Sequence, residues 1–174
     1  MPKTILITGA STGFGRDTAE TLARAGHTVF ASMRDPQAKN SQNAEALRKQ
    51  RIEVFELDVC SDTSVDRAVK GMLANAGRID VLINNAGIAS AGITEASTPD
   101  QAKIVFNTNV VGLLRTTRAV LPAMREQRDG LIIGGREGVL ASGPAETGLL
   151  ADPLGDLDHH LGVVGQERLR VLPA

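Results

Sequence analysis

The segment Thr8-Gly9-Ala10-Ser11-Thr12-Gly13-Phe14-Gly15 sets three glycines at G-x-x-x-G-x-G spacing, between an apolar, β-branched run and a segment of helical periodicity. In such a turn Gly9 permits a tight exit from a strand, Gly13 lets backbone approach a bound group, and Gly15 lets the helix pack close to the sheet. The helix that follows offers unpaired N–H groups and a partial positive charge, and Ser11 and Thr12 add hydroxyl donors, a set suited to phosphate oxygens. The dipole alone is worth about 0.3–1 kcal/mol, so affinity must come from several hydrogen bonds together. Glycines can also serve only the flexibility of a strand–turn–helix junction. The flanking strand and helix favour the chemical alternative: residues Gly9, Ser11, Thr12, Gly13, Phe14 and Gly15 as the cradle of a dinucleotide diphosphate.

A second feature bears on which dinucleotide. Folds that bind NAD(H) in this way usually place an acid at the end of the second strand, about twenty residues beyond the glycines, to bind the ribose 2′-hydroxyl. Here that place holds Met33, and Arg34 follows. A guanidinium offers permanent charge and paired donors to a 2′-phosphate. NADP(H) is therefore favoured over NAD(H), with Ser32 as a second phosphate donor. Against this, Arg34 can be a solvated loop residue that Asp35 partly neutralises.

The elements that must position these residues follow from the apolar pattern. Strands are expected at about 3–8, 28–33, 52–57, 80–83 and 131–133. Between them lie a helix over 14–25 with Phe14, Thr18, Leu22 and Ala25 on one face and Gly26 as cap, and a polar helix at about 42–50. Another follows Ser61 with the stripe Val65, Ala68, Val69, Met72, Leu73 and Ala76, ending at Gly77. A long helix opens at Thr98-Pro99-Asp100 and carries Val105, Phe106, Val110, Leu113, Leu114, Thr117, Val120, Leu121 and Met124, with Pro122 kinking or shortening its last turn. Strands alternating with amphipathic helices predict an α/β fold: a Rossmann-type, doubly wound parallel sheet of about five strands in the order 3-2-1-4-5, its ligand crevice at the strand ends where the order reverses.

Composition sets the bounds. In 174 residues there are 19 basic and 20 acidic side chains, so nothing in the charge balance points to nucleic acid or an anionic membrane. The length suits one domain. One cysteine, Cys60, rules out an intrachain disulfide and fits a reducing compartment; without an apolar run long enough for a signal peptide or a span, the cytoplasm is the expected location. There is no Tyr and no Trp, and the four aromatics are all Phe.

The glycine segment, Leu57-Asp58-Val59, Asn84-Asn85-Ala86-Gly87 and Asn107-Thr108-Asn109-Val110-Val111-Gly112 together resemble the short-chain dehydrogenase/reductase family, in its order and at similar intervals. Leu121-Pro122-Ala123-Met124-Arg125 is similar to the end of that family's long helix. The resemblance covers residues 1–133. It implies that Asp58 and Val59 border the adenine, that Asn85, Ala86 and Gly87 line the adenosine and nicotinamide ribose, and that Asn84 is structural, bonding backbone between strands. It implies hydride transfer between a nicotinamide and a small carbonyl or alcohol substrate, and homo-oligomers built through helices like 99–125.

The resemblance also implies an Asn, a Ser, and a Tyr with a Lys four residues later as the proton-transfer group. Asn109 matches the Asn. The Ser should follow the fifth strand by a few residues, where the chain reads Gly134-Gly135-Arg136-Glu137-Gly138, and Ser142 lies too far along. No Lys follows Lys103. Loss of a general acid typically costs about 10²–10⁴ in rate; His159 and His160 have no motif or orienting neighbour that would make them substitutes. After Ile133 the pattern fades into Gly, Leu and Asp, so 134–174 is expected as an atypical, poorly ordered tail with at most a short helix at 163–171. The sheet would be incomplete on that side, with the fifth strand an open edge. A truncation, a frame shift or a fused segment, or an inactive nucleotide-binding or interaction module, are the alternatives this change suggests.

Overall fold

A computed structural model describes residues 1–89, 95 and 97–134, together with the backbone of 167–170. Its parallel strands are β1 (Thr4–Ile7), β2 (Thr28–Met33), β3 (Glu53–Glu56), β4 (Val81–Asn84) and β5 (Leu131–Gly134). They lie in the order 3-2-1-4-5, as expected. The register carries Ile5 opposite both Val29 and Val81, so β1 is the central strand.

Alternation along β1 divides the core. Ile5 and Ile7 face helices α1 (Gly13–Arg24) and α2 (Ser41–Lys49), in a cluster with Ala19, Leu22, Ala44, Leu47, Val81 and Ile83. Leu6 faces the opposite side, where Phe30, Val65, Val69, Met72, Val120 and Met124 pack under α3 (Asp62–Ala76) and α5 (Gly112–Gln127). Both faces of the parallel sheet are thus buried, as that arrangement requires.

Several local signals act as the sequence indicates. Ser61 accepts a hydrogen bond from the Ser64 amide at the start of α3, and Gly77 ends that helix at φ 71°. Thr98 and Gln101 form a reciprocal capping box on α4 (Pro99–Phe106). Asp80, almost fully buried, anchors the opposite end of the sheet by accepting from the Thr4 amide at 2.8 Å and Arg78 Nε at 2.8 Å.

Four expectations need correction. The buried face of α1 is Gly15, Ala19 and Leu22, while Phe14 is 87% exposed and Ala25 lies outside the core. The long helix is not one regular rod: a five-residue π turn at Asn107–Val111 joins α4 to α5. The wider turn rotates the stripe, so α5 buries Gly112, Thr116, Val120 and Met124 while α4 buries nothing. Pro122 does not shorten α5, which continues to Gln127. Finally, β5 is not an open edge. A sixth strand, β6 (Glu167–Arg170), pairs with it antiparallel, Leu131 opposite Arg170, where part of a short helix was expected. The rest of the tail, with Ser142, His159 and His160, lies outside the described residues.

Candidate functional site

The carboxyl ends of β1, β2, β3 and β4 bring the predicted residues to one end of the sheet. Gly9 leaves β1 at φ 67°, a left-handed conformation that a side chain disfavours, and a Cβ there would meet the Ala86 Cα at 2.8 Å. The glycine turn and the Asn85-Ala86-Gly87 segment therefore touch backbone to backbone. Gly15 has the same function one turn on: a Cβ there would press on the Asn85 side chain and come within 2.7 Å of the Gly9 carbonyl.

Thr8, which carried no assigned role in the sequence, is the hub of this contact. Its buried hydroxyl oxygen accepts from the amides of Asn85 at 3.1 Å and Ala86 at 3.0 Å. Asn85 completes the link, its side-chain amide donating to the carbonyls of Thr8 at 2.9 Å and Gly9 at 3.1 Å. The bond to backbone between strands that the resemblance assigned to Asn84 is thus made by Asn85. Asn84 instead reaches α5, accepting from the Thr116 hydroxyl at 2.6 Å and donating to Thr117 at 3.3 Å.

Within this frame the start of α1 is open. Thr12 precedes the helix with extended backbone, its side chain makes no capping bond, and no acid lies in the first turn. The contrast with α3 and α4, each capped by its own side chains, is physical: the first amides of α1 are left for an acceptor from outside. Gly13 sits there at φ 57° with nothing within 4 Å of where its Cβ would be. The donor set and the free space fit a diphosphate. Ser11 is half-buried and Thr12 and Phe14 are exposed beside it.

Arg34 is exposed just beyond β2, and among the described residues no carboxylate forms an ion pair with it, Asp35 included. Ser32 is not available as a second donor: it is fully buried and its hydroxyl donates to the Ile7 carbonyl at 3.1 Å. Alternation explains this, because it turns Ser32 to the same face of the sheet as the buried Phe30.

On the other side of the crevice, Asp58 accepts from the Cys60 amide at 2.9 Å and the Val59 side chain is buried against Gly112, where a Cβ would meet Val59 Cγ2 at 2.9 Å. Arg115, unmarked in the sequence reading, ties this loop to the π turn. It donates to Asp62 at 2.7 Å, to the Val59 carbonyl at 3.2 Å and to Asn107 Oδ1 at 3.0 Å. The π turn in turn presents Asn109, whose side chain holds the Ile88 backbone at two points, accepting from its amide and donating to its carbonyl, each at 2.9 Å. Gly87 lies against it, a Cβ there falling 3.4 Å from Asn109 Oδ1. Among the described residues no group of His, Cys, Asp and Glu could hold a metal ion.

Comparison with known proteins agrees with this geometry. The family model for short chain dehydrogenase matches residues 3–134. A 3-ketodihydrosphingosine reductase of Bacteroides thetaiotaomicron is 42% identical over 132 residues, which cover 76% of this chain and 46% of that protein. Retinol dehydrogenase 8 of Homo sapiens is 40% identical over 138 residues, 76% of this chain and 43% of that one. Among solved structures, a short-chain dehydrogenase from Streptomyces avermitilis superposes with a TM-score of 0.66 at 39% identity, covering 75% of this chain and 47% of the other. A variant of actinorhodin polyketide ketoreductase determined with NADPH gives 0.67 at 30% identity, covering 74% and 51%. The chain spans about half the length of the curated relatives it matches.

Proposed function

Because the chain belongs to the short-chain dehydrogenase family, we propose that residues 1–133 form an NADP(H)-binding unit with little or no turnover of its own. The observation that carries this reading is the uncapped start of α1, held open by the Thr8–Asn85 frame and roofed by no side chain at Gly13. The amides after Thr12 hold the diphosphate, the Ser11 and Thr12 hydroxyls add donors, and Phe14 flanks it. Asp58 and the Val59 backbone border the adenine; Asn85, Ala86 and Gly87 line the riboses. Arg34, without a carboxylate partner among the described residues, takes the 2′-phosphate and favours NADP(H) over NAD(H).

A nicotinamide held there would be placed to give a hydride to a small carbonyl or to accept one from an alcohol, the chemistry for which a proton donor is also needed. The relatives named for reduction of a keto group and for dehydrogenation of retinol support that substrate class. The proton that accompanies the hydride needs a donor beside the carbonyl oxygen. Asn109 has no ionisable proton and is committed at two points to Ile88, so it acts as a positioning residue. With no Tyr in 174 residues, the family's proton donor is missing from this chain.

The exposed side of α4 favours self-association as part of the same reading. Ile104 is 59% and Phe106 55% exposed, beside a shallow cleft of about 420 Å³ lined by Pro99, Ala102, Lys103, Phe106, Asn107 and Val111. Among the described residues no helix is long and apolar enough to cross a membrane. A cytoplasmic setting belongs to the same reading, supported by the free thiol of Cys60.

Titration of the purified protein with NADPH and NADH, followed by coenzyme fluorescence, tests the binding reading. Saturable binding, tighter for NADPH, is expected, and NADPH at a hundred times its Kd should raise unfolding free energy by about 2.7 kcal/mol. No saturable response would overturn it. NADPH oxidation with a panel of small ketones tests the second half; turnover above the coenzyme-only rate would overturn the assignment of a non-catalytic unit.

A further inference from the structure

Asn40 stands immediately before α2, where an Asn side chain ordinarily accepts a hydrogen bond from one of the first helical amides. It makes no such bond. Its side-chain amide turns back and donates to the Arg34 carbonyl at 2.7 Å. The same loop is closed at a second point, the Asp35 carbonyl accepting from the amides of Ala38 at 3.1 Å and Asn40 at 3.0 Å. Asp35 reverses the chain at φ 48°, and Pro36, with its fixed φ, is buried. Residues 34–40 therefore form a small closed ring at the end of β2, and Asn40 forgoes its helix cap to close it.

We propose that Asn40 is a specificity-positioning residue. By fixing the Arg34 carbonyl it fixes the stem from which the guanidinium reaches the 2′-phosphate of NADP(H). The inference rests on the reading of Arg34 as the phosphate partner. The physical basis is preorganisation: a long side chain on a mobile stem loses more freedom on binding than the same side chain on a tethered one. The tether selects between coenzymes because NADH carries no group for Arg34 to meet.

The test is a binding cycle, read by fluorescence of NADPH and NADH on Arg34→Ala, Asn40→Ala and the double variant, with far-UV circular dichroism to confirm folding. Arg34→Ala is expected to weaken NADPH about tenfold and leave NADH within twofold. Asn40→Ala should weaken NADPH about fivefold, again sparing NADH, and the double variant should be no weaker than Arg34→Ala. Asn40→Ser, which restores a capping oxygen to α2 without reaching Arg34, should behave like Asn40→Ala. Equal loss of both coenzymes in Arg34→Ala would overturn the phosphate reading itself. A selective Arg34→Ala beside an unchanged NADPH/NADH ratio in Asn40→Ala, multiplying losses in the double variant, or recovery in Asn40→Ser would each overturn the role of Asn40 alone.

Discussion

In the β1–α1 turn, Thr8 carries the amides of Asn85 and Ala86 on one hydroxyl, Asn85 holds two carbonyls in return, and glycines at 9 and 15 let the backbones meet. In α4 nothing is buried, and Ile104 and Phe106 stand out in solvent. The first region pairs Thr8 and Asn85 with backbone across the turn and leaves the amide end of a helix uncapped. The second satisfies its own backbone, through a capping box, and leaves apolar side chains uncovered. On the function proposed above, each unsatisfied property has a complement: uncapped amides suit an anion, and exposed apolar surface suits another surface.

That difference can be broken from either side. The largest effect is expected from Gly9→Ala, which adds a Cβ 2.8 Å from the Ala86 Cα at a left-handed φ and should destabilise the fold by about 3 kcal/mol in urea unfolding. Thr8→Val keeps the shape but removes the hydroxyl that accepts from the half-buried amides of Asn85 and Ala86, the first of which keeps the Ile83 carbonyl as a second acceptor; a loss of about 1 kcal/mol is expected, with weaker coenzyme binding. Phe106→Glu should leave unfolding free energy within about 0.5 kcal/mol, because the side chain is exposed. It should nevertheless weaken self-association about tenfold in sedimentation.

The smallest effect concerns Glu20, whose carboxyl is held below its ordinary range, chiefly by the hydrogen bond from Arg16 one turn earlier on α1. A carboxylate favoured in the folded state contributes stability above its unfolded pKa and loses it as pH falls through the lowered folded value. Glu20→Gln should therefore cost about 0.3 kcal/mol at neutral pH and nothing in acid, measured against the unaltered protein.

Much of the sheet could be read in advance, because buried parallel strands appear as apolar runs and because Ser61, Gly77 and Thr98 mark helix ends by their chemistry. The glycine turn was equally legible. The failures share a cause: apolar periodicity records side-chain burial and is blind to backbone packing on backbone. Gly15 is the buried residue at the start of α1 and has no side chain to announce it, so Phe14 beside it takes the apparent place. The π turn at Asn107–Val111 shifts the helical phase without any change in residue type, which hid the rotation between α4 and α5. Strand β6 reads Glu-Arg-Leu-Arg, too charged and too short for an apolar alternation to show. Asn40 and Arg115 act through backbone carbonyls that spacing in the sequence cannot bring together.

Gly13→Asp addresses the open helix start most directly. The position has φ 57°, which Asp tolerates better than most residues, and its Cβ would meet nothing within 4 Å, so the fold should stand while a carboxylate enters the space proposed for the diphosphate. An unfolding midpoint close to that of the unaltered protein is expected, with NADPH binding weakened beyond detection. Undiminished NADPH affinity in a folded Gly13→Asp protein would contradict it.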